Sequence, residues 1–146
     1  MSKLKLFLDG AELNQMLESS KDNNIQGFTT NPTLMKKSGV EDYESFAKEV
    51  IKSIPNKPIS FEVFSDEIHE MQKEAQVISS WGGLTYVKIP VMNTKGVPTY
   101  ELIKKLSDDG IPLNVTAVFT LEQVTNIFNN LNKDVPSIIS VFAGRI

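Results

Sequence analysis

The stretch LTYVKIPVMN, residues 84–93, reads as a β-strand whose apolar run is interrupted by a single lysine. Successive strand side chains point to opposite faces, so Val87 and Ile89 share one side while Tyr86 and Lys88 share the other. Burying an ammonium group costs on the order of several kcal/mol unless it is paired or gives up its proton. Two readings follow. Lys88 is either half of a structural ion pair, with Glu62 as a partner on a neighbouring strand, or an amine held in place for chemistry.

Working outward, the same kind of run recurs at 4–9, 25–30, 59–64, 112–117 and 137–142, and every run but the last is followed by a helical pattern. This alternation calls for a parallel sheet. Ser65-Asp66-Glu67, Asn93-Thr94 and Thr120-Leu121-Glu122 are expected to open helices, because their side chains can accept hydrogen bonds from free N–H groups. Ser38-Gly39, Gly82-Gly83 and Asp109-Gly110 are expected to end them. No linker or low-complexity tract divides the sequence, so residues 1–146 are expected to form one domain.

Strand parity separates the two parallel-sheet architectures. Leu6 and Leu8, Phe61 and Val63, Leu113 and Val115, and Ile139 and Val141 form aliphatic faces. The opposite parity carries Asp9, Thr29, Asn31, Glu62, Lys88, Asn114, Thr116 and Ser140, most of them near the C-terminal strand ends. A barrel packs its outer face on helices and gathers inward groups at one mouth, whereas an open doubly wound sheet collects ligand groups in loops at a switch point. The expected fold is therefore α/β of the (β/α)8 barrel type. Neither a GxGxxG nor a P-loop motif is present.

Composition excludes several functions. With no cysteine and one histidine, thiol nucleophiles, disulfides and multi-histidine metal sites are ruled out. His69 lies in a charged helical segment and is expected to face solvent, and Trp81 to pack a helix end. The formal charge of -3 gives no basic stripe for nucleic acid. No apolar run approaches the ~20 residues of a membrane span, and the N-terminus lacks a signal-peptide core. A cytoplasmic location without membrane or nucleic-acid partners is expected.

A desolvated amine attacks carbonyls, giving a carbinolamine and then an iminium that accepts electrons from a breaking carbon–carbon bond. Such chemistry needs no metal or organic cofactor, only groups that move protons, and Asp9 and Glu62 can supply them. Taken singly these residues have plainer readings: Asp9 could cap the helix begun by DGAEL, and Asn31 before Pro32 could be a turn and cap. Their shared parity on separate strands is harder to assign to packing.

GFTTNPTLMKKSG (27–39), FEV (61–63), YVKIPV (86–91), LNVTAVFTLEQ (113–123) and ISVFAGRI (139–146) resemble, in order and spacing, the class I transaldolases, in particular the short group that includes the fructose-6-phosphate aldolases. The resemblance implies a (β/α)8 barrel that moves a dihydroxyacetone unit from a ketose phosphate to an aldose phosphate, in the pentose phosphate pathway. It implies that Lys88 forms the Schiff base, that Asp9 is the base on the donor hydroxyl, and that Glu62 is the acid working through a water held with Thr116. Asn31 and Asn114 would hold hydroxyls of the dihydroxyacetone unit with Thr29 nearby, and Ser140, Phe142 and Arg145 would line the substrate and its phosphate. The aldolase branch typically has glutamine, an apolar residue and tyrosine where this sequence has Glu62, Asn114 and Phe142, so the transferase is the expected activity and the aldolase the alternative. The family's chain continues through two further βα units that close the barrel. This sequence stops at Ile146, so a barrel truncated after the sixth strand is expected, whether as a truncated chain, an incomplete gene product or one that completes its barrel with another chain. A homo-oligomer is expected, and the alternative to an enzyme is an inactive remnant that binds sugar phosphate or serves in assembly.

Overall fold

The computed structural model describes residues 4–144. Arg145 lies outside the described residues. The elements run β1 (Leu6–Asp9), α1 (Leu13–Ser20), β2 (Ile25–Thr29), α2 (Pro32–Lys37), α3 (Tyr43–Ser53), β3 (Ile59–Glu62), α4 (Ile68–Ser80), β4 (Thr85–Pro90), α5 (Tyr100–Asp108), β5 (Leu113–Val118), α6 (Leu121–Asn130) and β6 (Ser137–Val141). Strand order is the order of the chain, β1-β2-β3-β4-β5-β6. The β1–β2, β2–β3, β4–β5 and β5–β6 pairings are parallel. An order without reversal has no switch point, and it is the winding of a (β/α)8 barrel carried through six strands.

Two compact units make up the chain: residues up to Glu62 with Trp81–Thr85, and Val63–Ser80 with Tyr86 onward. In the first, Tyr43, Phe61 and Trp81 meet edge to face, with ring centroids 5.2 to 6.1 Å apart, over a core that includes the fully buried Ala47, Val50 and Phe61. Trp81 thus packs at the end of α4, as expected. Phe7 lies directly opposite Gly27 across β1 and β2, and its ring fills the space a side chain at Gly27 would need.

Along β4 and β5 of the second unit the aliphatic parity is buried outright: Val87, Ile89, Leu113 and Val115 are inaccessible, against Ile103, Leu106 and Ile127 of the helices. Each such side chain contributes about 1.5–3 kcal/mol on burial. Along β1 and β6 the same parity is not covered, since Leu6, Leu8 and Val141 remain exposed.

Helix ends follow local chemistry. Thr120 accepts from the Gln123 N–H while the Gln123 side chain accepts from the Thr120 N–H, a reciprocal cap that starts α6 at the expected place. Gly39, Gly82, Gly83 and Gly110 adopt positive φ just past α2, α4 and α5, where the expected stops fall. Asn93-Thr94 does not open a helix. Asn93 Oδ1 accepts from the N–H groups of Lys95 and Val97, Gly96 turns at φ 77°, and Pro98 bridges back to Met92, so the chain folds on itself and α5 begins only at Tyr100. Nor does Asp66 cap α4, because its carboxylate is taken by Thr94. His69 is exposed on α4. No helix of the described residues is long and apolar enough to cross a membrane.

Candidate active site

In the second unit, β4 carries Lys88 between the inaccessible Val87 and Ile89, and Lys88 itself is only 9% exposed. Parallel register sets Lys88 opposite Asn114 and Pro90 opposite Thr116, so alternation puts three polar side chains together on two adjacent strands. Asn114 and Thr116 are buried as deeply as the aliphatic residues beside them. From β6, Ser140 Oγ donates to Asn114 Oδ1 at 2.7 Å. That bond fixes the carboxamide so that its NH2 end is the donor toward its other neighbours. Thr116 Oγ1 is buried and has no hydrogen-bond partner among the described residues. Phe142 stands edge to face on Phe119, with centroids 5.3 Å apart, and its N–H donates to the Val118 carbonyl at 2.8 Å.

In the first unit, Thr29 faces Asp9 in register and its hydroxyl donates to Asp9 Oδ1 at 2.8 Å. Asp9 is not a helix cap, since Glu12 accepts from the Gln15 N–H at the start of α1. Asn31 does cap: its Oδ1 accepts from the Leu34 N–H at 2.9 Å, ahead of Pro32 at the first position of α2. Capping occupies the carbonyl end of that carboxamide and directs the NH2 end away from the helix. Glu62 ends β3 half-buried, and its backbone carbonyl accepts from the Tyr43 hydroxyl at 2.9 Å.

Each unit thus gathers its share of the expected polar groups: Asp9 with Thr29 in one, and Lys88, Asn114, Thr116 and Ser140 in the other. The phosphate role expected of Arg145 falls outside the described residues. Sequence reasoning missed Tyr43, which braces the end of β3. It also missed Ala117, which follows Thr116 at φ 57°, because an alanine announces no left-handed backbone. The tyrosine had a signal in principle, an aromatic at the start of a helix whose other face is charged.

Residues 6–146 match the family model described as Transaldolase/Fructose-6-phosphate aldolase. Among curated relatives, a protein of Dehalococcoides mccartyi named "Probable transaldolase" is 34% identical over 120 residues, covering 82% of this chain and 54% of its own length. A "Probable transaldolase" of Sulfurihydrogenibium is 33% identical over 143 residues, covering 98% of this chain and 62% of its own. "Probable transaldolase 2" of Listeria monocytogenes is 36% identical over 120 residues, 82% of this chain and 52% of its own. The chain therefore spans between about half and somewhat under two thirds of the length of these relatives. By a family match over nearly its whole length, this chain belongs to the transaldolase/fructose-6-phosphate aldolase family.

Proposed function

We propose that the chain carries out transaldolase chemistry through a Schiff base at Lys88, with sugar phosphates as donor and acceptor. The observation that carries the reading is the setting of Lys88: an amine nearly closed off from solvent, in register with a buried carboxamide that Ser140 orients, beside a buried hydroxyl with no hydrogen-bond partner among the described residues. Such preorganised polar groups, largely closed off from bulk solvent, are what a carbonyl addition uses.

In this mechanism the Lys88 amine adds to the ketone carbon of a ketose phosphate, and the carbinolamine loses water to give an iminium. Asp9 takes the proton from the hydroxyl on the carbon beyond the scissile bond. That bond breaks, its electron pair moves into the iminium to give an enamine, and an aldose phosphate leaves. The enamine then adds to the aldehyde carbon of an acceptor aldose phosphate, and hydrolysis frees the product ketose and the lysine. Glu62 is the acid for the water-loss step through a water held with Thr116, Asn31 and Asn114 hold the hydroxyls of the three-carbon unit with Thr29, and Ser140, Phe142 and Arg145 line the remainder, Arg145 as the phosphate ligand. Phe142 supports the transferase over the aldolase, since a ring packed on Phe119 offers no hydroxyl to the water that would release the enamine product. A place in the pentose phosphate pathway, a cytoplasmic location and assembly into homo-oligomers accompany this proposal.

Intact mass after incubation with fructose 6-phosphate and sodium borohydride tests it, with Lys88→Ala alongside. The expected result is a gain of one reduced dihydroxyacetone unit that the variant lacks. A folded wild-type chain that gains nothing overturns the reading and favours a binding remnant. Product analysis with and without an aldehyde acceptor separates transferase from aldolase.

A further inference from the structure

Ala117 is the only non-glycine among the described residues with a positive φ, 57°. That region is disfavoured for L-residues because Cβ approaches the following carbonyl oxygen. Strands β5 and β6 slip at the same place: Val115 faces Ile139 and Val118 faces Val141, so β5 holds one residue more than β6 over this interval. Ser140 therefore faces both Thr116 and Ala117, the arrangement of a β-bulge.

In an unbroken ladder Ser140 would lie opposite Thr116 alone, and neighbouring hydroxyls on adjacent strands bond to each other. Here Ser140 Oγ instead donates to Asn114, and Thr116, a residue only 3% exposed, has its buried hydroxyl left without a partner among the described residues. An unbonded buried hydroxyl is itself unfavourable. Two disfavoured features stand side by side on the strand paired with that of Lys88.

We infer that the Ala117 bulge is a positioning element that separates the Thr116 hydroxyl from Ser140 and reserves it for the water that carries a proton to and from the Lys88 adduct. The inference rests on Lys88 as the Schiff-base nucleophile and goes beyond it: Ala117 touches no reacting atom and acts through Thr116.

The test is a double-mutant cycle on the full chain, reading the rate of borohydride-trapped adduct per folded molecule, with folding checked by circular dichroism. Deletion of Ala117 restores an even ladder; should that variant not fold, Ala117→Val, whose β-branch resists positive φ, takes its place. Either slows trapping by about tenfold or more. Ala117→Gly, which adopts this φ freely, keeps the bulge and the rate. Thr116→Val slows trapping by itself, and combined with the bulge variant it adds no further loss, because both act through one hydroxyl. A folded bulge variant trapping at the wild-type rate, or losses that multiply, overturns the inference. A wild-type chain that traps nothing counts against the Schiff-base reading instead, and the bulge is then judged by NMR of the hydroxyl protons. A Thr116–Ser140 hydrogen bond present in the deletion variant and absent in the wild type supports it, and the same pattern in both overturns it.

Discussion

Thr94 donates two hydrogen bonds to the carboxylate of Asp66, one from its backbone N–H and one from its hydroxyl, each 2.7 Å long. They tie the loop after β4 to the loop after β3, and Lys95 adds an ion pair to Glu67 across the same two loops. The first of these loops begins at Val91, three residues beyond Lys88.

The Asp66 carboxyl is held below its ordinary value of 3.8, first by the backbone N–H of Thr94 and then by the Thr94 hydroxyl. A depressed folded-state value means that the clamp's stability is fully present above the unfolded value and is lost as pH falls through the folded one. Asp66→Asn is therefore expected to melt below the wild type near neutral pH, with the gap closing once both proteins are taken to pH values below the folded-state value. Thermal melts across that range check it, and a gap independent of pH would assign the effect to packing.

Gly27→Ala is expected to destabilise by about 1–3 kcal/mol, as overpacking does. The added Cβ would meet the Phe7 ring and would sit 2.8 Å from the Pro58 carbonyl oxygen, which is backbone paired with Phe28 and cannot retreat. Chemical denaturation of Gly27→Ala with and without Phe7→Ala divides the two causes: trimming the ring recovers the side-chain part only.

Tyr43→Phe is expected to cost about 0.5–1.5 kcal/mol, the worth of one hydrogen bond, because it removes the donor to the Glu62 carbonyl and keeps the ring against Phe61 and Trp81. Urea midpoints measure it. If Tyr43 braces the end of β3, the same variant also slows adduct formation beyond its effect on folding.

The strand that carries Lys88 was legible because alternation is a strong signal where one face is aliphatic, and Val87, Ile89, Leu113 and Val115 are buried as that pattern requires. Boundaries slipped by a residue or two where exposed apolar residues imitate strand: Leu84 is half exposed and precedes β4. Asn93 misled for a different reason. Its side chain can cap a helix or close a turn, and only Gly96 and Pro98 further along decide between them. The Asp66–Thr94 clamp and the Ala117 bulge were not legible at all, since the first joins residues far apart in sequence and the second places an ordinary residue in a conformation its type disfavours.

The two readings of Lys88 that the sequence left open differ in what Lys88→Met should do. Methionine keeps most of the apolar stem and removes the charge. If Lys88 is half of a buried structural pair, its loss strands a buried partner and costs about 3–5 kcal/mol. If it is held for chemistry, the amine is a stability cost retained for function, and Lys88→Met melts at or above the wild-type temperature while borohydride trapping disappears. Thermal melts and trapping on one preparation decide between them. Lost trapping with unchanged or raised stability marks a reactive amine, and a large loss of stability returns Lys88 to the scaffold.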